Sequence, residues 1–295
     1  MATKCMLFIV VKVVIGLATI AYAGEIHDAV RNGDIDKVNK LLKNNPLLVK
    51  ARESSYFDSM PLHLAAMDGN LKITELLLAN GAEINAKDCG GWTPLMRAVA
   101  NKKKNIVKLL LANNANVNLS MNIGRTALHY AVMNDDKEIA SILLLHHADV
   151  NAGNGGEYDP PPIHEAQNAE MIELLLLNKA IIDAKNKDGE TALHKAALFN
   201  SNNIAYTLLL HKADVNAIDN IGRTPLHWAA WRDCRDVAGI LLENGAKTSI
   251  KDNDGNTPLK IAIERDNKAL VDLLKEAIVV KLPQSGTSRK IDKGK

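Results

Sequence analysis

Apolar residues recur along this chain in pairs of short helical segments that polar turns separate. The second segment of each pair is the clearer one, since it is rich in Leu and Ile at the spacing of one helical face. Its copies span residues 73–78, 106–111, 142–145, 174–177, 208–210 and 240–242. Because turn residues follow each copy, the pattern predicts a series of helix pairs.

The first segment of each pair begins with a variant of Thr-Pro-Leu-His. Successive starts are 33, 33, 35, 30, 33 and 33 residues apart, at Met60, Thr93, Thr126, Pro161, Thr191, Thr224 and Thr257. Thr caps a helix through its side-chain oxygen, and Pro at the first helical position lacks an N–H that would be unpaired there. Self-similarity at a period near 33 residues indicates a solenoid whose units bury their apolar faces on one another.

Each second helix is followed by a stop signal and a short polar segment, which we call the finger. Gly81 and Gly245 occupy the left-handed position after two of these helices. In other copies that position is held by Asn114, His147, Lys179 and Lys212. A residue other than Gly costs about 1 kcal/mol there. A short extended run such as residues 83–86, and then a turn with Asp and Gly, complete the unit.

Residues 219–230 read Asp-Asn-Ile-Gly-Arg-Thr-Pro-Leu-His-Trp-Ala-Ala. This segment is similar to the ankyrin repeat, Asp-x-x-Gly-x-Thr-Pro-Leu-His-x-Ala-Ala, and seven copies stand in register. We therefore expect an all-α repeat solenoid of helix–turn–helix units with projecting fingers that resemble β-hairpins. The resemblance implies that fingers and first helices line a concave groove, where ankyrin proteins usually bind other proteins.

We expect about eight units within residues 24–280, with an atypical cap at each end because one face of a terminal unit meets water. Two fingers, residues 51–61 and 152–162, are two residues longer than the others. The unit near residues 152–184 is irregular, since three fewer residues separate His164 from Lys179 than separate His129 from His147. Its first helix cannot complete its usual turns, so this unit is expected to be the weakest.

Residues 1–23 do not fit the repeat and have the features of a secretory signal peptide. A basic start precedes an apolar core at residues 13–20, and Ala21-Tyr22-Ala23 is an Ala-x-Ala cleavage site. The expected location is therefore secreted or periplasmic. An uncleaved membrane anchor stays open as an alternative, although Lys12 would make such a span a poor one.

The charge balance restricts the class of partner. The chain has 36 basic and 34 acidic residues, and the leader holds two of the basic ones, so the mature chain is formally neutral. Nucleic acid requires a basic face, so we expect a protein partner and no nucleic acid. We also expect a monomer, and no stable membrane insertion once the leader is cleaved. Residues 281–295 form a short basic tail that we expect to be disordered, with a docking role as the alternative.

The nine histidines do not suggest catalysis or metal binding. Five of them occupy the fourth position of the repeated motif: His63, His129, His164, His194 and His227. The resemblance implies a structural role there, in which hydrogen bonds tie the first helix to a neighbouring unit. There is no Gly-rich phosphate loop, Gly-x-Ser-x-Gly or Cys-x-x-Cys. We expect no catalytic residue, cofactor or metal, and keep an enzyme with an unrecognised site as an alternative.

Aromatic residues are scarce, and the three tryptophans are predicted to face the groove. Trp, Tyr and Arg dominate the energetics of protein interfaces. The predicted partner-binding residues are Trp92, Arg125, Phe199, Arg223, Trp228, Trp231, Arg232, Tyr56 and Phe57. For Trp228, packing between neighbouring first helices is an equally good interpretation.

The function that these features favour is an exported, non-catalytic ankyrin adaptor that binds a protein partner through the groove. With its leader, the chain resembles ankyrin proteins of intracellular bacteria, some of which act on host proteins. A periplasmic protective or inhibitory protein with a bacterial partner is the alternative.

The leader gives a first testable prediction. We expect cleavage after Ala23, so that the mature chain starts at Gly24, because the Ala-x-Ala signal ends there. The intact mass of the exported protein checks this. A chain that keeps its first 23 residues and fractionates with membrane would contradict it.

Overall fold

A computed structural model of the chain describes residues 24–53, 57–153 and 160–281. The predicted leader and nearly all of the predicted tail lie outside the described residues. The chain divides into two compact bodies, an amino-terminal body that ends at Ile181 and a carboxy-terminal body that begins at Ile182.

The amino-terminal body is built from helices that follow one another in pairs. They are α1 (24–31), α2 (Ile35–Asn44), α3 (Pro61–Asp68), α4 (Leu71–Ala79), α5 (Pro94–Ala100), α6 (Lys104–Ala112), α7 (Ala127–Met133), α8 (Lys137–Leu145) and α9 (Ala169–Leu177). Two 3₁₀ helices, Pro46–Lys50 and Pro162–Glu165, complete it.

The carboxy-terminal body continues the same alternation. Its helices are α10 (Ala192–Leu198), α11 (Asn202–Leu210), α12 (Pro225–Arg232), α13 (Arg235–Glu243), α14 (Pro258–Glu264) and α15 (Lys268–Lys281). The described residues of both bodies are all-α, which confirms the predicted fold class.

Helices pack on their counterparts in the next repeat. First helices pack α3 on α5 on α7 in one body and α10 on α12 on α14 in the other, while second helices pack α4 on α6 on α8 and α11 on α13 on α15. The Leu of the Thr-Pro-Leu-His motif and one Leu of the second helix are fully buried in most repeats, as in Leu62, Leu77, Leu226 and Leu241. Each repeat therefore completes its core with atoms of its neighbours.

The fingers are formed by turns. The run predicted to be extended closes instead on itself, because the Ala86 N–H donates to the Glu83 carbonyl at 3.0 Å. Among the described residues, the one isolated β-bridge joins Ser120 and Thr126. Side-chain amides link successive fingers: Asn118 Oδ1 accepts the Asp149 N–H at 2.8 Å, and Asn118 Nδ2 donates to the His147 carbonyl at 3.0 Å.

The left-handed positions lie where the stop signals predicted them. Asn114, His147, Lys179 and Lys212 have φ of 63°, 64°, 70° and 69°. Gly222, in a finger turn, also has a positive φ of 79°, and a Cβ there would lie 3.0 Å from the Asn253 backbone nitrogen. Glycine at this position is thus required both by its backbone angle and by the close approach of the next finger.

The described residues of the irregular unit near residues 152–184 include no first α-helix. The 3₁₀ helix Pro162–Glu165 stands in its place, and the second helix α9 is of ordinary length. Asn168 caps α9 by accepting the Met171 N–H at 2.8 Å. This unit therefore packs a single tight turn against α7 where other units pack a helix.

We expect this unit to open more readily than its neighbours. In a linear array, stability is close to a sum of unit and interface terms, and a 3₁₀ turn buries less than a helix. Amides of residues 162–177 should exchange with deuterium faster than those of α5 to α8. Uniform protection across these segments would contradict the expectation.

Candidate protein-binding surfaces

In four repeats, the histidine at the fourth position of the motif binds the finger of the following repeat. The Nε2 atoms of His63, His194 and His227 lie 3.0, 3.0 and 3.1 Å from the carbonyl oxygens of Trp92, Arg223 and Asn256. His129 reaches the Pro160 carbonyl at 3.0 Å in the same way. His27, in the amino-terminal cap, reaches the Ser59 carbonyl at 2.9 Å. His164 is buried within its 3₁₀ helix.

The other ring nitrogen of these histidines is also used. His227 Nδ1 accepts the N–H of Thr224 at 3.1 Å, and His129 Nδ1 accepts that of Thr126 at 3.0 Å. Since Nδ1 accepts while Nε2–H donates to a carbonyl, the ring is held in the neutral Nε2–H form. Burial lowers the pKa of His63 and of His227, in agreement with that form.

A cluster of aromatic and cationic side chains covers the first helices of the amino-terminal body. Trp92 contacts Tyr130 with 4.5 Å between ring centroids, and the Arg97 guanidinium lies 4.6 Å from the Trp92 ring. Arg97 also lies 5.6 Å from the ring of Phe57, which is 54% exposed. Tyr56, also predicted here, lies outside the described residues.

The cations of this cluster are neutralised by carboxylates. Arg97 pairs with Asp88, whose side chain is fully buried. Arg125, a predicted binding residue, donates to Glu165 at 3.3 Å and has a side chain only 19% exposed. Its guanidinium therefore joins α7 to the irregular unit. The exposed part of this surface is mainly aromatic.

A second cluster lies on the first helices of the carboxy-terminal body. Trp228 and Trp231, one turn apart on α12, meet edge to face with 5.6 Å between centroids. Both are half-buried. Trp228 Nε1 donates to Asp219 Oδ2 at 3.0 Å, which ties this ring to the base of its own finger. Trp228 thus has a packing role, while the indole N–H of Trp231 donates to no acceptor among the described residues.

Three arginines surround these two rings. Arg223 lies 5.5 Å from the Trp228 ring, and Arg232 and Arg265 lie 5.1 and 4.7 Å from the Trp231 ring. Arg223 Nε is 3.6 Å from Asp252 Oδ2. Burial acts to raise the pKa of Asp252, but N–H donors of Asn256 and Asp254 outweigh it and lower that pKa, so the carboxylate stays charged beside Arg223.

Phe199 is 59% exposed and ends α10. It occupies the same position in its repeat as Arg232 and Arg265 do in the next two. Because α10 packs on α12 and α12 on α14, these three residues form one row across the body. This row, together with Trp231, is here called the Arg232–Arg265 patch.

Sequence reasoning missed Arg97, Tyr130 and Arg265. Arg97 and Tyr130 stand four residues after the helix cap, as Trp228 does, and Arg265 stands 33 residues after Arg232. Comparison of equivalent positions in successive repeats would have found all three.

Two kinds of site are not found in the part of the chain that the structure describes. Its His, Cys, Asp and Glu side chains include no group of three or more able to hold a metal ion. Its helices include none that is long and apolar enough to cross a membrane.

Comparison with known proteins agrees with this architecture. The model of the family described as ankyrin repeats (3 copies) matches residues 26–121, 62–154 and 163–252. These matches cover well over half of the chain, which therefore belongs to the ankyrin repeat family. The crystal structure of the human ASB11 ankyrin repeat domain has a TM-score of 0.66 and 27% identity, and the alignment covers 74% of this chain and 98% of that one.

Curated relatives match only part of the chain. Ankyrin repeat domain-containing protein 13C-B of Xenopus laevis is 36% identical over 75 residues, which is 25% of this chain and 14% of that protein. Probable E3 ubiquitin-protein ligase XBOS32 of Oryza sativa subsp. japonica is 44% identical over 71 residues, 24% and 14% of the two chains. The chain thus aligns with a small fraction of each relative. What they share with it is the ankyrin repeat, which indicates a protein–protein interaction scaffold and is typically non-catalytic.

The buried histidines give a prediction about pH. In the folded chain the pKa of His63 and His227 lies below the ordinary 6.5. As the pH falls below 6.5, the unfolded chain binds protons that the folded chain does not, so the free energy of unfolding decreases; above that pH the contribution is fully present. Urea unfolding at a series of pH values measures this.

His227→Ala should lower the free energy of unfolding by about 1–3 kcal/mol, because it leaves the buried Thr224 N–H without a partner and removes one of the two hydrogen bonds to the Asn256 carbonyl. It should also flatten the pH dependence. His146→Ala, at an exposed position, is the matched control. An unchanged pH dependence in both His63→Ala and His227→Ala would show that these rings are not the groups responsible.

Proposed function

We propose that this chain is an exported, non-catalytic adaptor that binds a protein partner through its first helices and finger bases. The observation that carries the proposal is that each body has half-exposed tryptophan at these places in contact with arginine, Trp92 in the amino-terminal body and Trp228 and Trp231 in the carboxy-terminal body. Aromatic residues and Arg bury large areas at low entropic cost and are enriched in binding hot spots.

Part of this face is separate from the side chains that hold the repeats together. Adjacent repeats are connected by buried leucines and by histidine bonds to finger carbonyls. Phe199, Trp231 and Arg232 take no part in those hydrogen bonds; Phe199 and Arg232 are exposed, and Trp231 is half-buried. A partner could therefore cover them without disturbing the core.

Export is the part of the proposal that rests on the leader. A cleaved signal peptide would bring the chain to the periplasm or beyond it, where either a host protein or a bacterial protein could be the partner. The adaptor acting on a host protein and the periplasmic protective protein differ only in that partner. Affinity capture from bacterial periplasm and from host lysate, quantified by mass spectrometry, separates the two.

The role of Trp231 can be tested with the captured partner. Trp231→Ala should weaken binding about 30-fold, because loss of an aromatic anchor costs about 2 kcal/mol and 1.4 kcal/mol is tenfold. The melting temperature should change little. Calorimetric titration and thermal unfolding measure the two quantities.

Two variants serve as controls. His194→Ala should lower the melting temperature and leave the affinity of the folded fraction intact, since its ring bonds the Arg223 carbonyl. Trp228→Ala should affect both quantities, because it also removes the hydrogen bond to Asp219. If Trp231→Ala unfolds the protein and leaves affinity unchanged, that tryptophan belongs to the core and the assigned surface is wrong.

A further inference from the structure

The Arg232–Arg265 patch contains two cations that share one aromatic ring. The guanidinium groups of Arg232 and Arg265 come from successive repeats and lie 5.1 and 4.7 Å from the centroid of Trp231. Both side chains belong to exposed residues. Two like charges held near one ring repel each other, and an anion placed against them would relieve that repulsion.

Within the part of the chain that the structure describes, neither arginine forms a salt bridge. The other arginines that stack on aromatic rings differ in this respect. Arg97 is paired with Asp88, and Arg223 lies 3.6 Å from Asp252. An arginine that stacks on an aromatic ring can thus also form a salt bridge. Stacking therefore does not explain why Arg232 and Arg265 have no carboxylate partner among the described residues.

Two carboxylates of the same repeats are directed elsewhere. Glu264 lies 3.8 Å from Lys260, and Asp219 accepts the Trp228 indole N–H. Asp233 and Asp266 directly follow the two arginines, and both have positive φ, 59° and 57°, at the point where the chain leaves the helix. Neither forms a salt bridge with them among the described residues. The guanidinium forks are thus left for an external acceptor.

An apolar side chain continues the row of the two cations. Phe199 precedes Arg232 in the row and is 59% exposed. A ligand that fits this row combines carboxylates with a neighbouring apolar side chain. Arg is suited to such a ligand, since its planar fork binds a carboxylate through two parallel hydrogen bonds.

We propose that the Arg232–Arg265 patch binds an acidic segment of a partner protein, with carboxylates on the two guanidinium groups and an apolar side chain against Trp231 and Phe199. The inference rests on the proposed function and specifies the chemistry of the partner. The chain's own tail is a poor occupant because residues 281–295 carry five basic residues and a single acidic one.

Selection from a displayed library of random dodecapeptides tests the proposal with the full mature chain as bait. Peptides enriched by the unmodified chain should carry Asp or Glu next to an apolar residue. The double variant Arg232→Gln/Arg265→Gln should no longer enrich them. Arg235→Gln, an exposed arginine at the start of α13 in the same body, is the matched control and should enrich the same peptides.

One enriched peptide is then synthesised and titrated while tryptophan fluorescence is recorded. Its dissociation constant should increase at least about 10-fold in the double variant, which is 1.4 kcal/mol, and should increase with added salt because exposed charges are screened. Replacing its acidic residues by Gln or Asn should have an effect of similar size. Circular dichroism melting of each variant confirms that it is folded.

Other outcomes contradict the inference in distinguishable ways. Enrichment of neutral or basic peptides, or of acidic peptides that the double variant still binds, would overturn the acidic partner while leaving protein binding in place. Failure to enrich any peptide would count against both proposals. Self-association of the unmodified chain that the double variant abolishes, measured by sedimentation, would make a second copy the occupant and would likewise overturn it.

Discussion

The hydrogen bond from a buried histidine to the finger of the next repeat fixes the geometry on which the surface depends. The accepting carbonyl belongs to the residue just before the next helix cap, and in two repeats this residue is Trp92 or Arg223. The bond therefore orients the backbone of a side chain that projects onto the candidate binding face. Through Nδ1 the same ring accepts the buried N–H of the cap residue, which would otherwise lack an acceptor at a cost of about 1–3 kcal/mol. Stability and the position of surface groups thus depend on the same histidine ring.

The periodic part of the structure was accessible from the sequence because each of its causes is local. Capping Thr, first-turn Pro and the left-handed stop at Lys179 or Lys212 act within a few residues, and the period of 33 repeats them. The finger was predicted less well. Its Asn and Asp side chains bond to the backbone of the finger alongside, and such contacts favour a turn at residues 84–85 over an extended run.

The sequence could not show which surface arginines pair with a carboxylate of the chain and which stay available to a ligand. Arg125 and Arg223 stand at equivalent positions and were assigned the same role, yet Arg125 binds Glu165, 40 residues away. For Arg125 and Arg223, the carboxylate that each one meets belongs to the next repeat, and no periodicity encodes that pairing. Arg265 illustrates the converse, since its equivalence to Arg232 is visible in the sequence, while their contact with one ring is visible only in the structure.

The same residue types serve packing in one body and offer a ligand site in the other. Arg97 on Trp92 has a fully buried carboxylate as its counter-ion, so an incoming anion would have to displace Asp88. Arg232 and Arg265 on Trp231 have no such competitor among the described residues. An anion bound there would gain Coulomb energy without breaking an existing pair, and its binding would depend on salt more strongly than contacts at Trp92. In a family whose repeats share one fold, such differences in charge compensation provide a physical basis for choosing one partner over another.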